Sequence, residues 1–133
     1  CYGSWNPYNK LIQSSPAVSR IHVMNEYIPD SELPYIFGAS DLVVLPYLNA
    51  SQSGVTATAV HYNLPIVASD VGDLSATIVP GVTGELVTPG SSKELAKAIN
   101  GWIDAKHTPE GLLPAYAAIR KTNSWKAFAE NLV

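Results

Sequence analysis

Residues 41–72, DLVVLPYLNASQSGVTATAVHYNLPIVASDVG, carry the pattern from which the fold follows. Leu42-Val43-Val44-Leu45 is an unbroken apolar run of branched side chains, the composition of a strand buried on both faces of a parallel sheet. Asn49-Ala50-Ser51-Gln52-Ser53-Gly54 breaks the run with small polar residues. Val55, Ala57, Ala59 and Val60 then recur at spacings a helix uses, up to Asn63-Leu64-Pro65, where proline disfavours helical geometry in the residue before it. Pro65-Ile66-Val67-Ala68 opens the next strand. Strand, polar loop, helix, strand is the repeating unit of a doubly wound sheet, in which ligands bind outside the carboxyl ends of the strands. The loop 49–54 is therefore the expected site.

Working outward, Ile21-His22-Val23-Met24 is an expected strand leading into 42–45 as the central one. His22 alternates with apolar neighbours there and reads as an ordinary strand residue. Cys1–Asn9 contains Gly3 and Pro7 and reads as a loop, followed by a short helix at Lys10-Leu11-Ile12. Pro29-Asp30-Ser31-Glu32-Leu33 starts a helix, with Asp30 or Ser31 as its cap and Leu33, Ile36 and Phe37 as its inward stripe. Downstream, Ser75–Val79 is a short helical stretch, Pro80–Gly84 is turn chemistry, and Glu85-Leu86-Val87 is an edge strand closed by Pro89-Gly90. Ser91-Ser92 caps a helix over 93–105, where Leu95, Ala98, Ile99 and Trp102 repeat at helical spacing, and helices follow at Leu112–Ile119 and Trp125–Val133. The sum is an α/β, Rossmann-like parallel sheet of about four strands with helices on both faces.

At 133 residues the chain fits one domain, and a domain of that size buries roughly two-thirds of the surface its unfolded chain exposes. With 47% hydrophobic and 14% charged residues and a net charge of −3, it lacks the signature of disorder, of nucleic-acid binding or of a polybasic membrane patch. Its partner is expected to be a small molecule. Cys1 is the sole cysteine and no Cys/His cluster has zinc spacing, which points to a cytoplasmic protein without a metal or cofactor. No apolar run approaches the ~18 residues of a membrane span. The chain begins with Cys1 in place of an initiating methionine, which suggests a fragment.

The ordered set Ile28-Pro29-Asp30-Ser31-Glu32-Leu33, Ala39 to Pro46, Ser53-Gly54-Val55, Leu64 to Gly72 and Gly81-Val82-Thr83-Gly84 resembles the retaining glycosyltransferases of the sucrose-synthase and glycogen-synthase-like group. It is similar to their carboxyl-terminal, donor-binding domain, and Ser124-Trp125-Lys126 resembles that domain's last helix. The resemblance implies a single, partial nucleotide-sugar-binding domain over residues 1–133, with helices at 112–133 crossing towards a missing amino-terminal acceptor-binding domain. Through that missing domain it also implies a possible route to peripheral membrane contact. The implied donor is a nucleoside-diphosphate sugar, held by Ser51, Gln52, Ser53, Gly54, Val55 and Thr58, with Asn25, Tyr27 and Ile28 receiving the base. The reaction implied is hexosyl transfer to a hydroxyl, as in polysaccharide biosynthesis; basic phosphate contacts would lie in the missing first strand-helix unit, so the fragment alone should be inactive.

Departures from the family pattern fall inside the expected site. Two positions where the family often carries glutamates are Ala50 and Thr58, a Gly-Gly pair becomes Gly72-Asp73, and a further glutamate position is Ala76. No residue can therefore be assigned as catalytic, and a catalytically degenerate nucleotide-sugar-binding or interaction module of the same fold is the alternative. From the residues themselves, a small polar loop entering a helix leaves backbone N–H groups free for an anion. Equally, Ser51 or Ser53 can serve only as a cap, Gly54 only as a turn residue, and Asn25–Ile28 only as loop. Ser53-Gly54 after a strand also suggests a hydrolase elbow, but Ser51 stands where that motif wants glycine, and neither His61 nor His107 sits at a strand end as a base. Gly72-Asp73-Leu74 lacks the spacing of a dinucleotide fingerprint.

Overall fold

The computed structural model of the chain describes residues 6–51, 53–105 and 109–122, in two compact units, Cys1–Leu33 and Pro34–Val133. In the first, helix α1 spans Asn6–Gln13. It reaches further back than the loop expected over Cys1–Asn9, because Pro7 falls in the first turn, where a missing N–H costs no helical hydrogen bond. Residues 21–24 do not form the expected strand: all four are exposed and have no ladder partner among the described residues. Ile21 is extended, with φ −101° and ψ 115°. Period-2 alternation specifies extended backbone, whereas a strand also needs a neighbour to pair with.

Around the boundary between the units, Pro29–Glu32 closes as a turn, with Glu32 N–H donating to Pro29 O at 2.9 Å. Helix α2 consequently starts later than expected, at Leu33, and ends at Gly38. Leu33, Ile36 and Phe37 are half-buried, and Phe37 stacks on Tyr62 with ring centroids 5.5 Å apart.

The sheet has three parallel strands, β1 (Val43–Leu45), β2 (Ile66–Ser69) and β3 (Gly84–Val87), in the order β1-β2-β3. Val44 lies opposite Val67, and Val67 opposite Glu85. The central strand is thus β2 and not β1 as the apolar run at 42–45 suggests. Val43 and Val44 remain half-buried, while Ile66, Val67 and Ala68 are 0% exposed and Ser69 2%. Side chains alternate across a strand, so burial of four consecutive residues means that both faces of β2 are covered. β3 is the expected edge, and it approaches β2 closely at Gly84, where a Cβ would collide with the carbonyl oxygen of Ile66.

Helix α3 (Gly54–His61) connects β1 to β2, and a short 3₁₀ turn over Gly72–Ala76 follows β2, earlier than the helical stretch expected at Ser75–Val79. The end of α3 is set before Pro65 acts, since Asn63 adopts φ 58°; asparagine tolerates this left-handed conformation. Helix α4 (Ser92–Asp104) is capped by Ser91, whose hydroxyl accepts the Glu94 N–H, and contacts β2 and β3. The Glu94 carboxylate accepts the Thr88 N–H at 2.9 Å, and that backbone bond holds its pKa below the usual range.

Helix α5 (Pro109–Thr122) packs on α3. Leu112, Tyr116 and Ile119 join the core. The Tyr116 hydroxyl donates to Thr83 O at 3.3 Å, and Arg120 donates to Val60 O at 2.8 Å and to Asn63 Oδ1 at 2.7 Å. Through Thr122, the described part of segment 112–133 packs on α3 and the core by these contacts. The expected helix Trp125–Val133 lies outside the described residues.

Candidate functional site

At the carboxyl ends of β1 and β2, Tyr47, Asn49, Ala50, Ser51, Val71 and Gly72 line an open cleft of about 840 Å³. Its shape comes from two loops fastened to each other. The chain leaves β1 through a tight turn in which Tyr47 N–H donates to Leu45 O at 2.9 Å, and Tyr47 rests against the core. The loop after β2 docks on the loop after β1, with Asp73 N–H donating to Ser51 O at 3.2 Å. Gly72 makes the approach possible: its φ is 55°, and a Cβ there would run into the carbonyl of Ala50. Both features demand glycine.

The start of α3 stands next along the same loop. Ser53 precedes the helix in extended conformation, with φ −138° and ψ 117°, and makes no side-chain cap. Its carbonyl accepts both the N–H and the hydroxyl of Thr56, at 3.2 and 2.6 Å. The amides of Gly54 and Val55 have no hydrogen-bond partner among the described residues. Gly54 has no positive φ, and nothing lies within 4 Å of where its Cβ would be. A tight turn is therefore not the reason for glycine at 54, and a serine cap does not occupy the free amides.

Of the residues expected at the site, Ser51 lines the cleft, Ser53 and Gly54 form the helix start, and Val55 is exposed in its first turn. Thr58 lies one turn on, and its hydroxyl donates to Gly54 O at 3.0 Å, so it is engaged within its own helix. Gln52 lies outside the described residues. Asn25, Tyr27 and Ile28 belong to the other compact unit, where the first two are exposed and Ile28 is half-buried. The segment before them is not a strand, so the strand-end geometry expected to present a base-binding edge is absent. Tyr47 and Val71 were not among the expected site residues. The strand-end rule that singled out loop 49–54 applies equally to them.

Among the described residues no charged side chain lines the cleft, and no group of acidic, histidine or cysteine side chains is arranged to hold a metal ion. No helix among them is long and apolar enough to cross a membrane. A second cavity, of about 590 Å³, lies at the opposite, amino end of the strands, between Asp41, Asn63 and Trp102. The carboxyl-end rule favours the first as the ligand site.

Comparison with known proteins adds a lineage to this geometry. The profile of a family described as glycosyl transferases group 1 matches residues 2–105. A D-inositol 3-phosphate glycosyltransferase from Corynebacterium diphtheriae is 30% identical over 125 residues, covering 94% of this chain and 29% of that protein. Its namesake from Mycobacterium marinum is 31% identical, over 77% of this chain and 22% of its own length. A 2-deoxystreptamine glucosyltransferase from Streptomyces kanamyceticus is 26% identical, over 79% and 26% respectively. The chain spans less than a third of the length of each of these relatives.

Proposed function

Because the chain belongs to the glycosyl transferases group 1 family, we propose that it is the donor-binding part of a retaining enzyme that moves a hexose from a nucleoside diphosphate to a hydroxyl acceptor. The observation that carries this reading is the pair of unpartnered amides, Gly54 and Val55, at the start of a helix beside the cleft. Gly54 is three positions beyond Ser51, a reach of roughly 10 Å at most. On this reading a donor with its diphosphate on the amides has its sugar in the adjacent cleft.

Backbone N–H groups at a helix start favour an anion, and fixed donors stabilise the charge that grows on a departing diphosphate without reorganising. The cleft contributes no cation among its described residues, so the remaining charge is assigned to basic residues elsewhere in the full-length protein. The acceptor site is assigned there too. On this reading the 133-residue chain binds donor but does not turn it over.

One observation favours a second reading. Ala50 offers no polar side chain, and the Thr58 hydroxyl is engaged within α3. A degenerate module that holds the nucleotide-sugar without transferring it would have this composition. Turnover of labelled nucleotide-sugars by the full-length protein separates the two.

Calorimetric titration of nucleoside diphosphate into full-length, folded variants tests the site itself. Gly54→Pro removes one amide and should abolish binding, while Ser53→Ala, whose side chain makes no cap, should weaken it at most a few-fold. Unchanged affinity in folded Gly54→Pro would place the phosphates elsewhere.

A further inference from the structure

Among the described residues three polar side chains line the cleft: Tyr47, Asn49 and Ser51. The other walls are Ala50, Val71 and Gly72, which offer only backbone or methyl groups. We infer that Tyr47 and Asn49 read the hydroxyl groups of the transferred sugar, so that this site selects its sugar through neutral hydrogen bonds and not through a carboxylate. The inference rests on the reading that the cleft holds the sugar of a nucleotide donor.

Tyr47 is half-buried, with its ring packed against the core. A rigid aromatic loses little conformational entropy on binding and still carries a hydroxyl that donates and accepts. Asn49 is exposed and offers both an acceptor and two donors. No other described side chain engages the hydrogen-bonding groups of either residue, so both are free for a ligand. The backbone beneath them is fixed, by the turn bond from Tyr47 N–H to Leu45 O and the Asp73–Ser51 bond between the loops. Sugar hydroxyls are matched by groups of this kind.

The test separates sugar from phosphate recognition. Full-length parent, Tyr47→Phe and Asn49→Ala proteins are titrated with UDP, GDP and ADP, and with UDP-glucose, GDP-mannose and ADP-glucose. Each substitution should weaken the sugar nucleotide bound by the parent about three- to tenfold, the worth of one hydrogen bond, and leave the matching nucleoside diphosphate within twofold. Tyr47→Phe keeps the ring against the core, and Asn49 is exposed, so both variants should fold. Equal losses for nucleotide with and without sugar would mean the residues only shape the loop, and the inference falls. It falls as well if neither ligand is affected, since the sugar then lies elsewhere while the diphosphate site stands. A parent that binds none of the six probes would overturn the donor-site reading itself.

Discussion

Glycine at three positions serves three different ends. At Gly84 and Gly72 a side chain would meet backbone, and Gly72 in addition has a positive φ. Gly72→Ala should cost about 1–2 kcal/mol from the backbone conformation alone, with a further loss as loop 49–51 is pushed away; urea unfolding would measure it. Gly54 has open space and no positive φ, so Gly54→Ala should leave stability equal or slightly raised, by up to ~1 kcal/mol. If a diphosphate approaches the backbone there, the same substitution should still weaken nucleotide binding. A variant with parental stability and parental affinity would show that nothing approaches that close. The sequence announces all three glycines in the same letter, and only the packing around each tells them apart.

Elements were legible where a periodic pattern met its own stop signal. The strand at Ile66–Ser69, the helix at Ser92–Asp104 and the edge strand at Gly84–Val87 fall within a few residues of their expected places. Residues 21–24 were not, because alternation cannot say whether a partner strand is within reach, and the same missing neighbour moves the centre of the sheet from β1 to β2. A rule of topology singles out the loop 49–54 as the expected site, and the same rule reaches Tyr47 once the end of β1 is known. The cap of α4 is a local device: Ser91→Ala should cost about 1 kcal/mol of stability by chemical denaturation. Helix α5 carries a pH signature. Burial pushes the Tyr116 phenol far above its ordinary value, so the folded state keeps the proton that the unfolded chain loses near pH 10. The stabilisation is therefore fully present below about pH 10 and is lost as pH rises beyond it. Unfolding midpoints measured from pH 8 to 11 should fall at the alkaline end, and Tyr116→Phe should flatten that fall while lowering stability at neutral pH by about 1 kcal/mol through the lost bond to Thr83.

For the molecule as a whole, the donor half of a transfer reaction should bind without reacting. Incubating the 133-residue chain with labelled nucleotide-sugars and hydroxyl acceptors should yield no product, and robust transfer would defeat the division of labour proposed above. The contacts of α5 also bear on how the chain is made. Tyr116 reaches back 33 positions to Thr83, and Arg120 reaches back 60 to Val60. A ribosome emits the three strands well before it emits those anchors, at about 5–20 residues per second. In the seconds between, the apolar surface that Leu112, Tyr116 and Ile119 cover is ready and that cover is not yet made, which is the interval in which a chaperone has something to hold.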